Sequence, residues 1–261
     1  RMLTAMFLTK HLFIDWRKGE RFFMDSARDV RDAVGKDNLP AELLEQIQLF
    51  IRQEAMHGRE HDGWSQALIE MGYPAMQMFD EKLKRDNKWS RKHLTPLTRL
   101  AMTAASEHFT ASLAHLFIYH RPDLIEKAGS PFRELLIYHA MEEVEHKAVC
   151  YDLYQEAGGG YWKRAYAMVF VTLDLLVRLR NRMRYLLQQD GLWDAQHRAA
   201  VRRLLWGKDG IMRALAPFLL QYFRPGFHPW ETDERRDLLE RFRNEMTLID
   251  EMQAQQAADA A

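Results

Sequence analysis

Two stretches decide how this chain folds: Gln53-Glu-Ala-Met-His-Gly-Arg-Glu-His61 and Glu142-Glu-Val-Glu-His-Lys-Ala-Val149. Each holds a glutamate followed three residues later by a histidine, Glu54 to His57 and Glu143 to His146. Residues three apart are neighbours on a helix, so each pair can aim a carboxylate and an imidazole at one point. A single such pair arises readily by chance in a chain with 11 His. What gives these two weight is their setting, because both interrupt the apolar face of a long helical pattern.

Working outward, few Gly or Pro break the segments 41–71, 96–120, 132–156, 161–189 and 233–255, and each shows apolar spacing of three and four. Pro40 and Pro96 open helices; Gly72-Tyr73-Pro74, Pro122 and Gly158-Gly159-Gly160 close them. No segment alternates as a strand would, so the fold class is all-α. The 261 residues are 47% hydrophobic and 28% charged, the balance of a globular protein with one large core. Residues 1–157 read as the bundle core and 158–261 as C-terminal helices packing on it within a single domain. Lys+Arg and Asp+Glu both total 37, which argues against nucleic acid as a partner. One cysteine, Cys150, excludes an internal disulfide and fits a cytoplasmic setting. Arg1 to Phe13 lacks the features of a secretory signal. The most apolar run, Ala165–Val177, contains Asp174 and falls short of the roughly 20 residues of a membrane span, so it reads as a buried helix.

Writing out the core stripes places polar residues where packing alone would not. The first helix gives Trp16, Glu20, Phe23, Ala27, Val30 and Val34. The second gives Leu43, Ile47, Phe50, Glu54, His57, His61, Trp64 and Leu68. The third gives Leu97, Leu100, Ala104, Glu107, Ala111, Ala114 and Ile118, and the fourth Phe132, Leu136, His139, Glu143, His146, Cys150 and Leu153. Every stripe is apolar at both ends with acid or imidazole between. Buried carboxylates without a partner cost several kcal/mol each, and no Lys or Arg sits in the stripes to neutralise them. Two divalent cations would bring four carboxylates close to charge balance, with imidazoles completing the coordination of iron, manganese or zinc. Solvated faces or salt-bridged core positions remain the alternative for any one residue, most of all for Glu20 at its helix start. The alternating order Glu, Glu-x-x-His, Glu, Glu-x-x-His weighs against that alternative for the set.

That order is the ligand set of ferritin-like dimetal carboxylate proteins, and implies a ferritin-like four-helix bundle core. Gly19-Glu-Arg-Phe-Phe23, Gln53–His61, Glu107-His-Phe-Thr-Ala111, Glu142–Val149 and Phe223-Arg-Pro-Gly-Phe-His-Pro-Trp230 resemble the bacterial predicted metal-dependent hydrolase family across most of the chain. More distantly, the ligand order is similar to that of di-iron N-oxygenases acting on p-aminobenzoate, whose last helix reads His-x-x-x-Glu-x-x-His. His139, Glu143 and His146 match it, and the resemblance adds His139 to the implied metal ligands Glu20, Glu54, His57, Glu107, Glu143 and His146. His61 and Glu142 are expected to hydrogen-bond these ligands.

Taken with the three imidazoles, the resemblance implies an O2-dependent di-iron oxidoreductase acting on a small hydrophobic molecule, with an electron donor that the sequence does not identify. The alternatives are a dimetal hydrolase and a bundle that only binds metal. A homodimer is the default assembly for such a bundle. Arg178, Arg180, Arg182 and Arg184 read as a solvated face, or as groups binding a carboxylate or headgroup beside an apolar wall. His108 and His115 read as packing or surface residues, and Cys150 as a small core residue.

Overall fold

The computed structural model describes residues 16–126 and 132–231, and among them every regular element is helical. The expected helix at 233–255 and the N-terminal residues lie outside the described residues. In chain order the helices are α1 (Trp16–Val34), α2 (Ala41–Glu70), α3 (Ala75–His93), α4 (Pro96–His115), a π-helical turn Leu116–His120, α5 (Pro122–Glu126), α6 (Phe132–His146), α7 (Val149–Glu156), α8 (Tyr161–Gln189), α9 (Ala195–Trp206) and α10 (Ile211–Gln221). The bundle core is made by α1, α2, α4 and the α6–α7 pair, with α8 and α10 laid on α4.

Local chemistry sets the ends of the site-bearing helices. Gly35, at φ 89°, turns α1 into the short link to α2. At the end of α2 the Gly72 N–H donates to the Ile69 carbonyl and the Tyr73 N–H to the Leu68 carbonyl, a C-terminal lock that needs the positive φ of Gly72. Thr95 caps α4 by accepting the Thr98 N–H at 3.2 Å, one residue before Pro96.

Three expectations are corrected. The pattern 132–156 is two helices, because the ladder breaks at Lys147-Ala148 directly after His146. The pattern 96–120 loses α geometry at Leu116, where the Arg121 N–H reaches back five residues to the Leu116 carbonyl. Ala165–Val177 is only half buried: Ala165, Ala167, Met168 and Val171 pack inward, whereas Tyr166, Phe170, Leu173 and Val177 are exposed. The run is apolar on two faces and the described residues cover one of them.

Helix α4 is the centre of the molecule, with 14 of its 20 residues buried. Ala101, Ala104, Ala105, Ala111 and Ala114 keep it thin enough for α1, α6, α7, α8 and α10 to approach it. Two apolar clusters sit at different heights of the bundle. One contains Ile47, Phe50, Leu100, Ala104, Cys150 and Leu153; the other contains Phe117, Leu136, Val144, Ile211 and Leu215. Burial of each large side chain contributes about 1.5–3 kcal/mol, and the polar positions of the stripes fall between the two clusters.

The Phe223–Trp230 segment fixes the break after His146. Arg164 of α8 donates to the Tyr222 carbonyl at 2.6 Å and the Arg224 carbonyl at 3.1 Å. Tyr151 donates to the Phe227 carbonyl, His228 pairs with Asp152 at 2.7 Å, and Lys147 sits 4.6 Å from the centre of the Trp230 ring. The α6–α7 junction is thus held from outside, and with it the position of His146.

Candidate dimetal centre

The glutamates and histidines of the four stripes meet in one buried layer. Three overlapping groups bring ligand atoms within 4.8 Å of one another: Glu54, His57 and His146; His57, His139 and Glu143; Glu107, Glu143 and His146. Six of the seven expected ligands are therefore contiguous. Glu20 lies at their edge, its Oε1 3.1 Å from His61 Nε2, and Gly58 passes so close that an added Cβ would stand 3.0 Å from Glu20 Oε2. The imidazoles crowd each other, with ring centres 4.5 Å apart for His57 and His139 and 5.6 Å for His57 and His146.

His57 and His146 each turn one nitrogen to the cluster and have the other fixed. His57 Nε2 contacts Glu142 Oε2 at 2.5 Å, and Tyr138 donates to the other oxygen of Glu142 at 2.7 Å. His146 Nε2 donates to Gln53 Oε1 at 3.1 Å, and the Gln53 amide donates to Glu145 at 3.0 Å. Of the inward nitrogens, His57 Nδ1 has no hydrogen-bond partner, and His146 Nδ1 lies 2.9 Å from Glu54 Oε1. Glu54 Oε2, Glu107 Oε2 and Glu20 Oε2 have no hydrogen-bond partner either. Buried polar atoms almost always find partners, so a convergent set without them is a set shaped for cations. Carboxylate plus imidazole donors fit Fe, Mn or Zn.

Electrostatics among the protein groups point the same way. Burial first, and the charge of Glu54 second, hold the carboxyls of Glu20 and Glu107 well above their usual value. Burial and Glu54 also raise Glu143. His57 loses to burial but gains more from Glu142 and from Glu143 and Glu54, and is pushed up to about 9. His139 is held well below its usual value by burial and by His57, His61 and His146. Such a cluster of acids costs stability unless protons or metal ions neutralise it.

Elsewhere the sequence expectations divide. His108 is a packing residue, buried against Tyr222 and Phe227, with Nε2 3.1 Å from the Phe218 carbonyl. Cys150 belongs to the apolar cluster below the layer. Glu142 contacts His57. Gln53 and Tyr138 were not read as site residues; the only signal was a polar residue beside each ligand helix's first acid or imidazole.

The comparisons with known proteins bear on the same residues. The model of the predicted metal-dependent hydrolase family matches residues 1–233, which span every candidate ligand. The chain belongs to that family. A deoxyribodipyrimidine photo-lyase of Agrobacterium fabrum (strain C58 / ATCC 33970) is 53% identical over 38 residues, 15% of this chain and 8% of that protein, so the chain spans less than a tenth of that relative's length. No solved structure matches. For this member of the predicted metal-dependent hydrolases, the Glu and His groups that could hold divalent metal are therefore the feature that ties family to fold. No helix of the described residues is long and apolar enough to cross a membrane.

Proposed function

We propose that this chain is a dinuclear metal-dependent hydrolase of a small organic substrate, with Glu20, Glu54, His57, Glu107, His139, Glu143 and His146 holding two divalent ions. The observation that carries this reading is the convergence of buried Glu and His ligand atoms, among which His57 Nδ1, Glu54 Oε2 and Glu107 Oε2 have no hydrogen-bond partner. Two ions bound there would polarise a substrate oxygen and lower the pKa of a water. The protein's own part is to orient and to keep dry. Glu142 and Gln53 fix the rings of His57 and His146, as outer partners of ligating histidines commonly do. The two apolar clusters exclude bulk water from above and below. His61, 3.1 Å from Glu20, is placed to hold or return a proton at Glu20 Oε1.

A second reading is O2-dependent oxidation at a di-iron centre, favoured by the third imidazole, His139, within reach of Glu143 at 3.2 Å. One experiment separates the two. The metal-free protein is reconstituted with Zn, Mn or Fe(II) and assayed anaerobically against a panel of aryl and alkyl esters, amides and phosphoesters, then with Fe(II) for O2 uptake in the presence of the corresponding acids, alcohols and amines. Metal-dependent cleavage without O2 is expected. Stoichiometric O2 uptake with no cleavage by any metal would favour the oxidase, and neither activity would overturn the enzyme reading.

The homodimer belongs to this reading as well. Trp162, Tyr166, Val169, Phe170, Leu173 and Val177 line one exposed face of α8. At ~200 Å² for a fully exposed aromatic ring, that face offers on the order of 700 Å², near the ~800 Å² per partner of a standard interface. A second copy meeting it across a two-fold axis would cover it.

A further inference from the structure

A cavity of about 450 Å³ opens between α1, α3, α4, α8 and α10. Its wall is largely hydrocarbon and includes Phe22, Phe23, Met102, Phe109, Val171 and Leu175. Phe23, Phe109 and Val171 are buried members of the two apolar clusters, whereas Trp89, 58% exposed, marks the solvent end. The wall is continuous in sequence with the candidate metal centre: Gly19 and Phe23 flank Glu20 on α1, and Ser106 directly precedes Glu107 on α4. Whatever fills the cavity lies against two of the acid-bearing helices.

The polar groups of the wall are engaged with the protein itself. Lys82, Asp86, Arg178 and Asp174 form a chain of ion pairs: Asp86 Oδ2 accepts from Lys82 at 2.7 Å and from Arg178 at 3.1 Å, and Asp174 accepts the Arg178 Nε–H at 2.6 Å. Arg182 is buried with its guanidinium 5.4 Å from the centre of the Phe79 ring, and neither it nor Asn87 lacks a partner. The hydroxyl of Ser90 donates to the Asn87 carbonyl at 2.8 Å and that of Ser106 to the Met102 carbonyl at 3.0 Å. The arginine cluster of α8 is thus neither one solvated face nor a free anion site: Arg178 and Arg182 are held within the protein, and Arg180 and Arg184 stand on the exposed side. A charged guest would lose its water and meet only ion pairs already made. An apolar one gains in proportion to the surface it buries.

We propose that this cavity is the binding site for an uncharged, largely hydrocarbon molecule, its body against Phe23, Met102 and Phe109 and its reacting end toward the wall beside Glu20 and Glu107. The volume lies toward the small end of the ~300–1,000 Å³ typical of ligand sites, which suits one alkyl chain or one to two rings. This assigns a substrate class to the reading above and rests on it: the molecule processed at the metal layer is a neutral apolar compound, such as an alkyl ester. The acid that its hydrolysis releases carries a charge for which the wall has no free partner, so the cavity favours the substrate over the product.

The test uses the full chain held metal-free by chelator, so that binding is read without any activity. Methyl octanoate, methyl hexanoate, octanoate and octylamine are titrated calorimetrically, below their aggregation limits, into wild type, Leu175→Trp, Met212→Trp and Asp174→Asn, with circular dichroism showing which variants are folded. Methyl octanoate is expected to bind one per chain, roughly tenfold more tightly than methyl hexanoate, as two further buried methylenes require, and at least tenfold more tightly than octanoate or octylamine. Leu175→Trp and Met212→Trp fill the cavity from different helices, and each should weaken methyl octanoate at least tenfold. Asp174→Asn, which leaves Arg178 one partner short, should tighten octanoate at least threefold with the ester unchanged. Absence of ester binding to wild type, or unchanged binding to a folded Trp variant, overturns the cavity assignment. Octanoate or octylamine binding as tightly as the ester overturns the uncharged class, and unchanged octanoate affinity in Asp174→Asn overturns the part given to the paired rim charges. If methyl octanoate binds as expected but is not cleaved after loading with Zn, Mn or Fe(II), the hydrolase reading falls and the cavity assignment stands.

Discussion

Replacing Glu107 by Gln should stabilise the metal-free protein and destabilise the metal-loaded one. Glu107 and Glu143 bring oxygens within 4.8 Å of each other in the buried layer. Two unit charges at that separation repel by about 3.5 kcal/mol at an effective dielectric of ~20. Proton uptake relieves part of this, since both carboxyls are held above their usual value of 4.5. Removing one buried charge without changing shape should therefore stabilise the metal-free fold by about 1–3 kcal/mol at pH 8. At ~2–4 °C per kcal/mol for a chain of this size, that is a Tm gain of roughly 5 °C. The sign with pH follows from the raised folded-state values of Glu20 and Glu107. Folded protein binds protons that the unfolded chain has released, so stability is fully present below the ordinary carboxyl range and is lost as pH rises through the raised values. The variant should show a shallower loss. With metal at a hundredfold excess over its dissociation constant, each wild-type site gains about 2.7 kcal/mol, and Glu107→Gln, short of a ligand, should melt below wild type. Thermal unfolding by circular dichroism with chelator and with Zn or Mn reads all three. A metal-free Glu107→Gln that melts several degrees below wild type, with an unchanged pH slope, would refute the reasoning: Glu107 would then be a satisfied core residue and not a member of a repelling cluster.

Three further outcomes follow from the same geometry. Glu142→Ala, which frees the outer nitrogen of His57, should weaken metal binding 10–100-fold while leaving the fold intact, measured by competition with a chromogenic chelator. Gly58→Ala places a methyl group at 3.0 Å from Glu20 Oε2; metal-free stability should rise by up to about 1 kcal/mol from helix propensity, while titration calorimetry shows weaker occupancy of one of two sites. Phe170→Glu on the outer face of α8, 57% exposed, should convert a dimer to a monomer in sedimentation equilibrium with metal content unchanged.

The parts of this molecule that sequence made legible are those in which a helix has one job. Glu54, His57, Glu143 and His146 stand at fixed spacing in stripes otherwise made of Ile47, Phe50, Leu136 and Leu153, and the structure gathers them. Helix α3 went unread because of its polar composition, KLKRDNKWSRKH over 82–93, and because only Met76 and Ser90 of it are buried. Helix α10 carries Pro217 within it. The burial of α4 on all sides was invisible because its small residues suit a one-sided stripe equally well, and only α8 and α10 lying across it decide the matter. The break after His146 depends on Tyr151, Asp152 and Lys147 gripping residues 227–230, contacts about eighty positions apart that no local pattern encodes. The roles of Gln53 and Tyr138 likewise arise only when α2 and α6 face each other.

Anomalous diffraction from crystals of the protein as purified, collected on both sides of the iron, manganese and zinc edges, tests the central claim most directly. Two anomalous peaks per chain, ~3.5–4 Å apart as in dinuclear enzymes, within coordination distance of Glu54, His57, Glu107, Glu143 and His146, are the predicted result. A layer with no peak in crystals grown with each of these metals in excess, or a lone ion bound to other residues, would contradict it.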